Sequence, residues 1–319
     1  MKKFEWRPTA NAPKYYPAEI ISGNFYMEDG SSIYIPKGHT LMTGWGKAGA
    51  AHAVGEDMKP VPYKFDVKWV SYLEEKFYGG TFKLPKEQLT KLFEEGFIND
   101  RNEKDTYSKI VLGLAPGGII SVWLRGGSAK EIGRYQASEI EVDEKEFIPY
   151  ANMSNEKYIK ETKSEIIEEK IKSAIDVKNI PFGIWDTYRK KYKWAINVNF
   201  KAEGKNKLKT IIANSYNGEF FNTSGENPII TKMIERAIPS RIAMSWQDTN
   251  GNGYGAKVFF DEEEIFKTFD IIFQQKTINQ ATLILDIDKY NSNLEVFILA
   301  NDEKYSITKA EIKVYEASN

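Results

Sequence analysis

The six residues Gly44-Trp45-Gly46-Lys47-Ala48-Gly49 have the G-x-G-x-x-G spacing that, between a strand and a helix, brings backbone N–H groups up to a pyrophosphate. The flanks do not supply that setting. Thr40 to Thr43 makes a poor buried strand, no apolar stripe of helical period follows Gly49, and the chain does not alternate strands with helices. A loop with no nucleotide cofactor is the expectation. Asp248-Thr249-Asn250-Gly251-Asn252-Gly253 carries the first half of a calcium loop, with oxygen ligands on Asp248, Asn250 and Asn252 and glycine at the sharp bend. The position that should hold the bidentate acid is Phe259. An Asn- and Gly-rich hairpin turn explains the same residues and is the preferred reading, with calcium the weaker one.

His39 and His52 are the only histidines, and the chain has no cysteine. Thiolate metal sites, disulfides and cysteine nucleophiles are therefore excluded, and a serine nucleophile has two possible bases, neither in a flanking signature. Carboxylate pairs can perform hydrolysis from distant positions, but 45 acidic side chains single out no pair. An enzyme is disfavoured, with no catalytic residue, metal or cofactor assigned.

The elements that must position any site fall into two halves with the same outline. Val61-Pro62 leads through a strand to Trp69, a turn, the strand ending at Leu84 and a helix opening at Pro85, where a missing N–H costs nothing. Ile238-Pro239 leads likewise to Trp246, a turn, the run Lys257 to Phe260 and a helix capped by Asp261, with Glu264 at the capping-box spacing. Glu139 to Val142 matches Glu311 to Val314. Such self-similarity reads as two copies of one fold. Alternation of Phe65, Val67 and Trp69 with Lys64, Asp66 and Lys68 gives a half-buried strand. Ala115-Pro116-Gly117-Gly118 turns the hairpin between Tyr107 to Leu114 and Ile119 to Leu124. Ile132 to Val142 reads as one more strand, 154–177 as an amphipathic connecting helix, and Pro228 to Ala237 as a short helix. The fold class is α+β: domains 1–150 and 181–319, each a mainly antiparallel sheet with one packed helix, joined by a charged connector over 151–180.

With 44 basic and 45 acidic side chains the net charge is −1 and no long run of one sign occurs, so no nucleic-acid partner is expected. Charge and proline follow Met1-Lys2-Lys3 where a signal peptide needs an apolar run, and no stretch reaches the roughly 20 apolar residues of a membrane span. A cytoplasmic protein without membrane insertion is the expectation. Tyr15, Tyr16, Trp45, Tyr72, Tyr78 and Trp185 fall in loops, turns or strand ends, where exposed rings would suit a partner surface and buried ones would be core. Trp69, Phe93, Trp123 and Trp246 are assigned to the core.

Val67 to Tyr78, then Leu84-Pro85, Gly113-Leu114-Ala115-Pro116-Gly117-Gly118 and Val122-Trp123-Leu124 together resemble the bacterial family called domain of unknown function 2931. The resemblance covers the first half. The second half keeps Trp246 but lacks the Glu-Glu-Lys-Phe-Tyr stretch and the Pro-Gly-Gly turn, and looks like a diverged copy. Members of that family are often lipoproteins, and some are encoded beside secreted antibacterial effectors such as the lipases of type VI secretion. The resemblance implies an immunity protein that binds and blocks a toxin. Because this chain has neither a signal peptide nor a lipobox cysteine, the expected toxin is one that acts in the cytoplasm. The family carries no assigned catalytic residues.

The leading expectation is a binding protein, monomeric or in a 1:1 complex with a cognate toxin. Contact is expected through Tyr72, Glu74, Glu75, Lys76, Tyr78, Arg125, Lys130, Asp248, Asn250 and Tyr254. The alternatives are a scaffolding repeat protein, a carbohydrate-binding module and a carboxylate-type hydrolase.

Overall fold

The computed structural model describes residues 2–50, 55–202 and 206–317; His52 lies outside them. The chain divides into two compact units, Met1–Gly96 with Thr106–Trp185, and Phe97–Asp105 with Asp186–Asn319. Both are mostly strand with few helices.

In the first unit, Lys3–Glu5 pairs antiparallel with Met58–Pro60, and the chain continues as Arg7–Asn11, parallel to Lys109–Ala115. Lys109–Ala115 and Ile119–Arg125 form the hairpin that Pro116, Gly117 and Gly118 turn, and Ala129–Gln136 extends it. A second, antiparallel sheet has the order Ser138–Ile140, Lys76–Lys83, Lys64–Ser71, Ala18–Tyr26 and Ser32–Tyr34. Helix Lys86–Glu95 buries Leu89 and Phe93, the latter stacked on Phe4 at 5.0 Å between ring centroids.

The second unit has the same pairing order. Lys191–Phe200 is antiparallel to Ile234–Ala237 over its first residues and then parallel to Ala281–Ile287. Leu294–Ala300 and Glu303–Ser306 complete that sheet. The other sheet runs Glu311–Ala317, Gly253–Phe259, Pro239–Gln247, Lys207–Ser215 and Phe220–Ser224. The irregularities coincide as well. A bulge falls between Ile20 and Ser22 opposite Trp69 and Lys68, and another between Leu208 and Thr210 opposite Trp246 and Ser245. Trp69 faces Tyr78 across its strand pair, as Trp246 faces Tyr254. Helix Glu262–Asp270 buries Ile265 and Phe269, matching Leu89 and Phe93.

Several expectations need correction. Each unit has two main sheets where one was expected, and one of them in each contains a parallel pair, which only a long crossover can connect. Pro228 to Ala237 is not a helix: Ile234–Ala237 is a strand, because Lys191–Trp194 offers it a ladder of hydrogen bonds. Ile132 to Val142 breaks into two strands, Ala129–Gln136 and Ser138–Ile140, that serve different sheets. The segment read as a connector is helix Asn155–Ile166, capped by Ser154 and ending in a π-helical turn over Ile167–Ile171. Its Ile159, Ile166 and Ile171 pack with Val70, Tyr72 and Leu73 inside the first unit. Asp261 caps its helix by accepting from the Glu264 N–H at 2.9 Å, but the Glu264 carboxylate does not close the box. It accepts instead from the N–H groups of Thr308 and Lys309, both at 2.9 Å. Among the described residues no helix is long and apolar enough to cross a membrane.

Trp246 is buried, and its indole N–H donates to Asn291 Oδ1 at 2.9 Å, which also accepts from Asn206 Nδ2 at 2.7 Å. An indole donor buried without an acceptor costs about 1–3 kcal/mol. Asn291→Ala should therefore lower the urea-unfolding stability by about that amount, and an unchanged midpoint would show that the bond carries no weight.

Candidate functional site

The strands Lys64–Ser71 and Lys76–Lys83 are joined by a tight turn in which Glu75 adopts φ 55° and donates its N–H to Tyr72 O at 3.3 Å. Glu74 stands between its own hairpin and the turn of the neighbouring one. Its carboxylate accepts from Ser71 Oγ at 2.6 Å, from the Tyr78 hydroxyl at 2.8 Å and from the Gly117 N–H, 3.1 Å from each oxygen. One acid thus ties the tip of the Trp69 hairpin to the Pro-Gly-Gly turn.

The glycines of that turn are required by space and by backbone. Gly117 and Gly118 have φ of 78° and 72°, and a Cβ on Gly118 would lie 2.8 Å from both Ala137 O and the Tyr78 ring. Gln136 Nε2 donates to Gly117 O at 2.7 Å and closes the other side. The Phe182 ring lies over Gly117, 3.3 Å from where a Cβ would stand, yet the side chain is 62% exposed. On the opposite flank Lys163 Nζ donates to Leu73 O at 3.0 Å and to Glu75 at 2.8 Å, fastening helix Asn155–Ile166 to the same tip.

Sequence reasoning placed Tyr72 and Tyr78 on the surface. Both are core residues, 0% and 6% exposed. Each hydroxyl finds a carboxylate from a distant position, Glu19 for Tyr72 at 2.7 Å and Glu74 for Tyr78, and this is what lets a phenol be buried there. Trp185 is buried too, and Trp45 is half-buried, edge-on to Trp123 at 4.9 Å. Glu74, Glu75 and Lys76 are together at the tip, with Lys76 paired to Glu139 at 2.7 Å. Arg125 and Lys130 are not there. Arg125 ends the strand that begins beside the Pro-Gly-Gly turn, and its Nη1 donates to Gly46 O at 2.7 Å, while burial pulls its pKa down. Lys130 lies half-buried on the next strand. Phe182, Glu19, Gln136 and Lys163 were missed. Only Phe182 had a local signal, as an apolar residue within the Pro- and Gly-containing run Pro181-Phe182-Gly183.

In the second unit Asp248, Asn250, Asn252 and Tyr254 do come together, as a turn. The Asp248 carboxylate accepts from the N–H groups of Asn250 and Asn252, each at 2.9 Å, from Asn252 Nδ2 at 2.9 Å and from the Tyr254 hydroxyl at 3.3 Å. The Asn252 side-chain bond is the main cause holding its pKa below the ordinary carboxylate value. Among the described residues no group of three or more His, Asp or Glu side chains is placed to hold a metal ion.

The chemistry open to the Glu74 cluster is limited. Its carboxylate is surrounded by donors, Ser71 is buried with its hydroxyl turned to that acid, and no imidazole takes part among the described contacts. A cleft of about 920 Å³ elsewhere in the first unit, lined by Lys2, Glu28, Tyr63, Lys86, Lys91 and Glu94, has charges that pair across it: Lys86 with Glu28 at 2.6 Å, and Lys2 with Glu94. The tip is a braced surface built from residues of an uncharacterised domain family. Residues 1–183 match the family model described as protein of unknown function (DUF2931), more than half of the chain, and the chain belongs to that family. The match takes in the helix Asn155–Ile166 and reaches almost to Trp185, where the first unit ends. No curated protein and no solved structure matches the chain.

Two outcomes follow from this geometry. Glu74→Ala leaves three donors without their acceptor and should destabilise the first unit by about 2–3 kcal/mol in urea unfolding, with Glu74→Gln losing less because it still offers one carbonyl oxygen. Burial raises the pKa of Tyr72 and Tyr78 and pushes Tyr135 up to about 12. These phenols keep their protons in the folded protein where the unfolded chain, with pKa about 10, has released them, so stability should fall as pH rises from about 10 to 12. Ultraviolet titration of phenolate alongside circular dichroism would check this; ionisation of these tyrosines at pH 10 with the fold intact would contradict it.

Proposed function

We propose that the chain is a non-catalytic binding protein whose first unit holds a partner protein at the braced tip, and that the partner is a cognate antibacterial toxin which it neutralises in a 1:1 complex. The observation that carries this reading is Phe182. A large ring stands 62% exposed against a turn, Pro116 to Gly118, that Glu74, Gln136 and two glycines hold in one conformation. Exposed aromatic anchors on pre-organised loops provide most of the energy at protein interfaces, because little ordering remains to be done on binding. The polar atoms of the family motif support the same reading, since they brace the loops and leave no reactive group poised. The second unit, with its matching strand order and a different tip, is on this reading a diverged tandem copy. Complex formation is placed in the cytoplasm, and association with type VI secretion is the specific form of the proposal.

The test is co-expression with the product of the adjacent upstream gene, affinity purification and size-exclusion chromatography. A stoichiometric complex is expected. Phe182→Ala should weaken it by about 2 kcal/mol, roughly 30-fold in Kd, with circular dichroism unchanged. A lone monomer, or a complex indifferent to both Phe182→Ala and Lys76→Glu, would overturn the assignment.

A further inference from the structure

In the second unit, among the described residues, the strand pairing along the outer edge of Lys191–Phe200 is at its start, where Ile234–Ala237 pairs with Lys191–Trp194. Ile196 then donates its N–H to Ile230 O at 3.0 Å on that edge, whereas Lys201 donates to Ile287 O at 2.9 Å on the other. Backbone groups of a strand alternate between its two edges, so Val198 and Phe200 turn their N–H and C=O to the Ile230 side, away from the paired strand Ala281–Ile287. Both residues line a cleft of about 470 Å³ with Asn206, Leu208, Asn227 and Ile230. The volume is in the range of ligand-binding clefts.

The first unit shows what such an edge accommodates. By register, Ala10 opposite Leu112 corresponds to Val198 opposite Leu285, and Ala12 corresponds to Phe200. There the edge is occupied by the chain's own loop 44–50. Gly44 donates its N–H to Ala12 O at 3.0 Å, Asn11 Nδ2 donates to Lys47 O at 2.7 Å and Thr9 Oγ1 to Ala50 O at 2.8 Å. Gly49 passes so close that a Cβ on it would stand 2.2 Å from Ala10 O. The G-x-G-x-x-G spacing that failed as a nucleotide loop is thus a strand-edge cover, with glycine where backbone meets backbone. The corresponding stretch of the second unit, 225–231, meets this edge at Ile230 among the described residues and forms the cleft wall.

We propose that the Val198–Phe200 edge is a docking site for an extended peptide segment of a partner protein, which joins the sheet through backbone hydrogen bonds as the Gly44 N–H joins the Ala12 carbonyl in the first unit. This mode draws affinity from main-chain bonds and specificity from side-chain pockets. The segment carries glycine or alanine opposite Val198, where Gly49 stands opposite Ala10, and an apolar side chain directed to Phe200, Leu208 and Ile230. The site is separate from the Phe182 tip and stands whether or not that reading holds.

The experiment uses the full-length, isotopically labelled protein and a capped synthetic peptide with the sequence of residues 43–50, followed by amide chemical shifts. Saturable shifts at Val198, Phe200 and Ile230 are expected, with a dissociation constant below about 1 mM. Val198→Pro removes the edge N–H without removing a bond to Ala281–Ile287 and should abolish them. Thr231→Trp fills the cleft from its exposed rim, leaves the strand backbone intact, and should weaken binding at least about tenfold; it decides the matter if the proline variant fails to fold. Absence of saturable shifts at several times the stated concentration would overturn the proposal. So would shifts at these amides on adding cellohexaose where the peptide gives none, which would make the cleft a carbohydrate site.

Discussion

Both units depend on one non-local pairing, in which the first strand of the unit lies parallel to the first strand of a hairpin formed much later in the chain: Arg7–Asn11 beside Lys109–Ala115, and Lys191–Phe200 beside Ala281–Ile287. Parallel neighbours need a crossover, and here the crossover carries the other sheet, all but its last strand in sequence, together with the helix. Each entry strand is pinned at a buried tryptophan. Trp6 donates to Pro60 O and Trp194 to Arg236 O, both at 3.2 Å, while the Lys59 ammonium returns to Trp6 O at 3.1 Å and Arg236 Nε to Trp194 O at 3.3 Å. A buried cation is costly, and burial accordingly lowers the pKa of Lys59 and brings Arg236 down to about 10. The cost is offset by carbonyl acceptors, by the adjacent indole face and by the ring itself, whose loss from a core typically costs about 3–5 kcal/mol. The same clasp, with lysine in one unit and arginine in the other, argues that geometry and not the identity of the cation is what the fold requires.

The hairpin tips solve a second shared problem in two ways. Two turns must be held side by side at the end of each pair of sheets. In the first unit the link is ionic, a carboxylate at Glu74 accepting a backbone N–H from the facing turn; in the second it is an amide, Asn291 of one hairpin accepting the Trp246 indole of the other. The Trp69 indole N–H meets no acceptor among the described residues, which fits a tip whose bracing passes through Glu74 rather than through the tryptophan. The exposed surfaces differ accordingly. Phe182 stands over the first tip, whereas Tyr290 projects from the second with Lys289 4.8 Å from its ring centre. The two units differ at these tips and share the strand order behind them.

Local structure was legible where the signal itself was local. The Trp69 and Trp246 hairpins, the helices after Pro85 and Asp261, the Pro-Gly-Gly turn and the four core aromatics could be read from alternation, capping and turn chemistry. What escaped depends on partners far away in sequence. Nothing near Ile234 announces that Lys191–Trp194 will complete its ladder, and the parallel pairs leave no mark on either strand alone. Tyr72 and Tyr78 resemble surface anchors because each carries a polar tip beside acidic neighbours; only the fold reveals that Glu19 and Glu74 are those tips' acceptors. The candidate site was thus half visible. Glu74, Glu75 and Lys76 were singled out at the turn that Glu74 braces, while Phe182 and Gln136 reach it from outside that hairpin.

The central strands of the two units show how one framework can serve different ends. Lys109–Ala115 and Ile119–Arg125 are buried almost throughout, the pattern of a sheet covered on both faces, and Trp45 and Trp185 supply part of that cover over Trp123 and Gly113. Ala281–Ile287 and Leu294–Ala300 alternate buried with half-buried or exposed positions, and their outer face carries Asp286, Glu295 and Phe297 with Lys201 and Lys304 paired across it. Charge on such a face opposes association through an exposed apolar sheet. Charge on the face does not close the edge, however. Side chains can mask a sheet surface, but the N–H and C=O groups of an edge strand are the same for every sequence, and only another stretch of backbone satisfies them in register. An edge strand that no backbone covers would therefore present a backbone template whatever its side chains are.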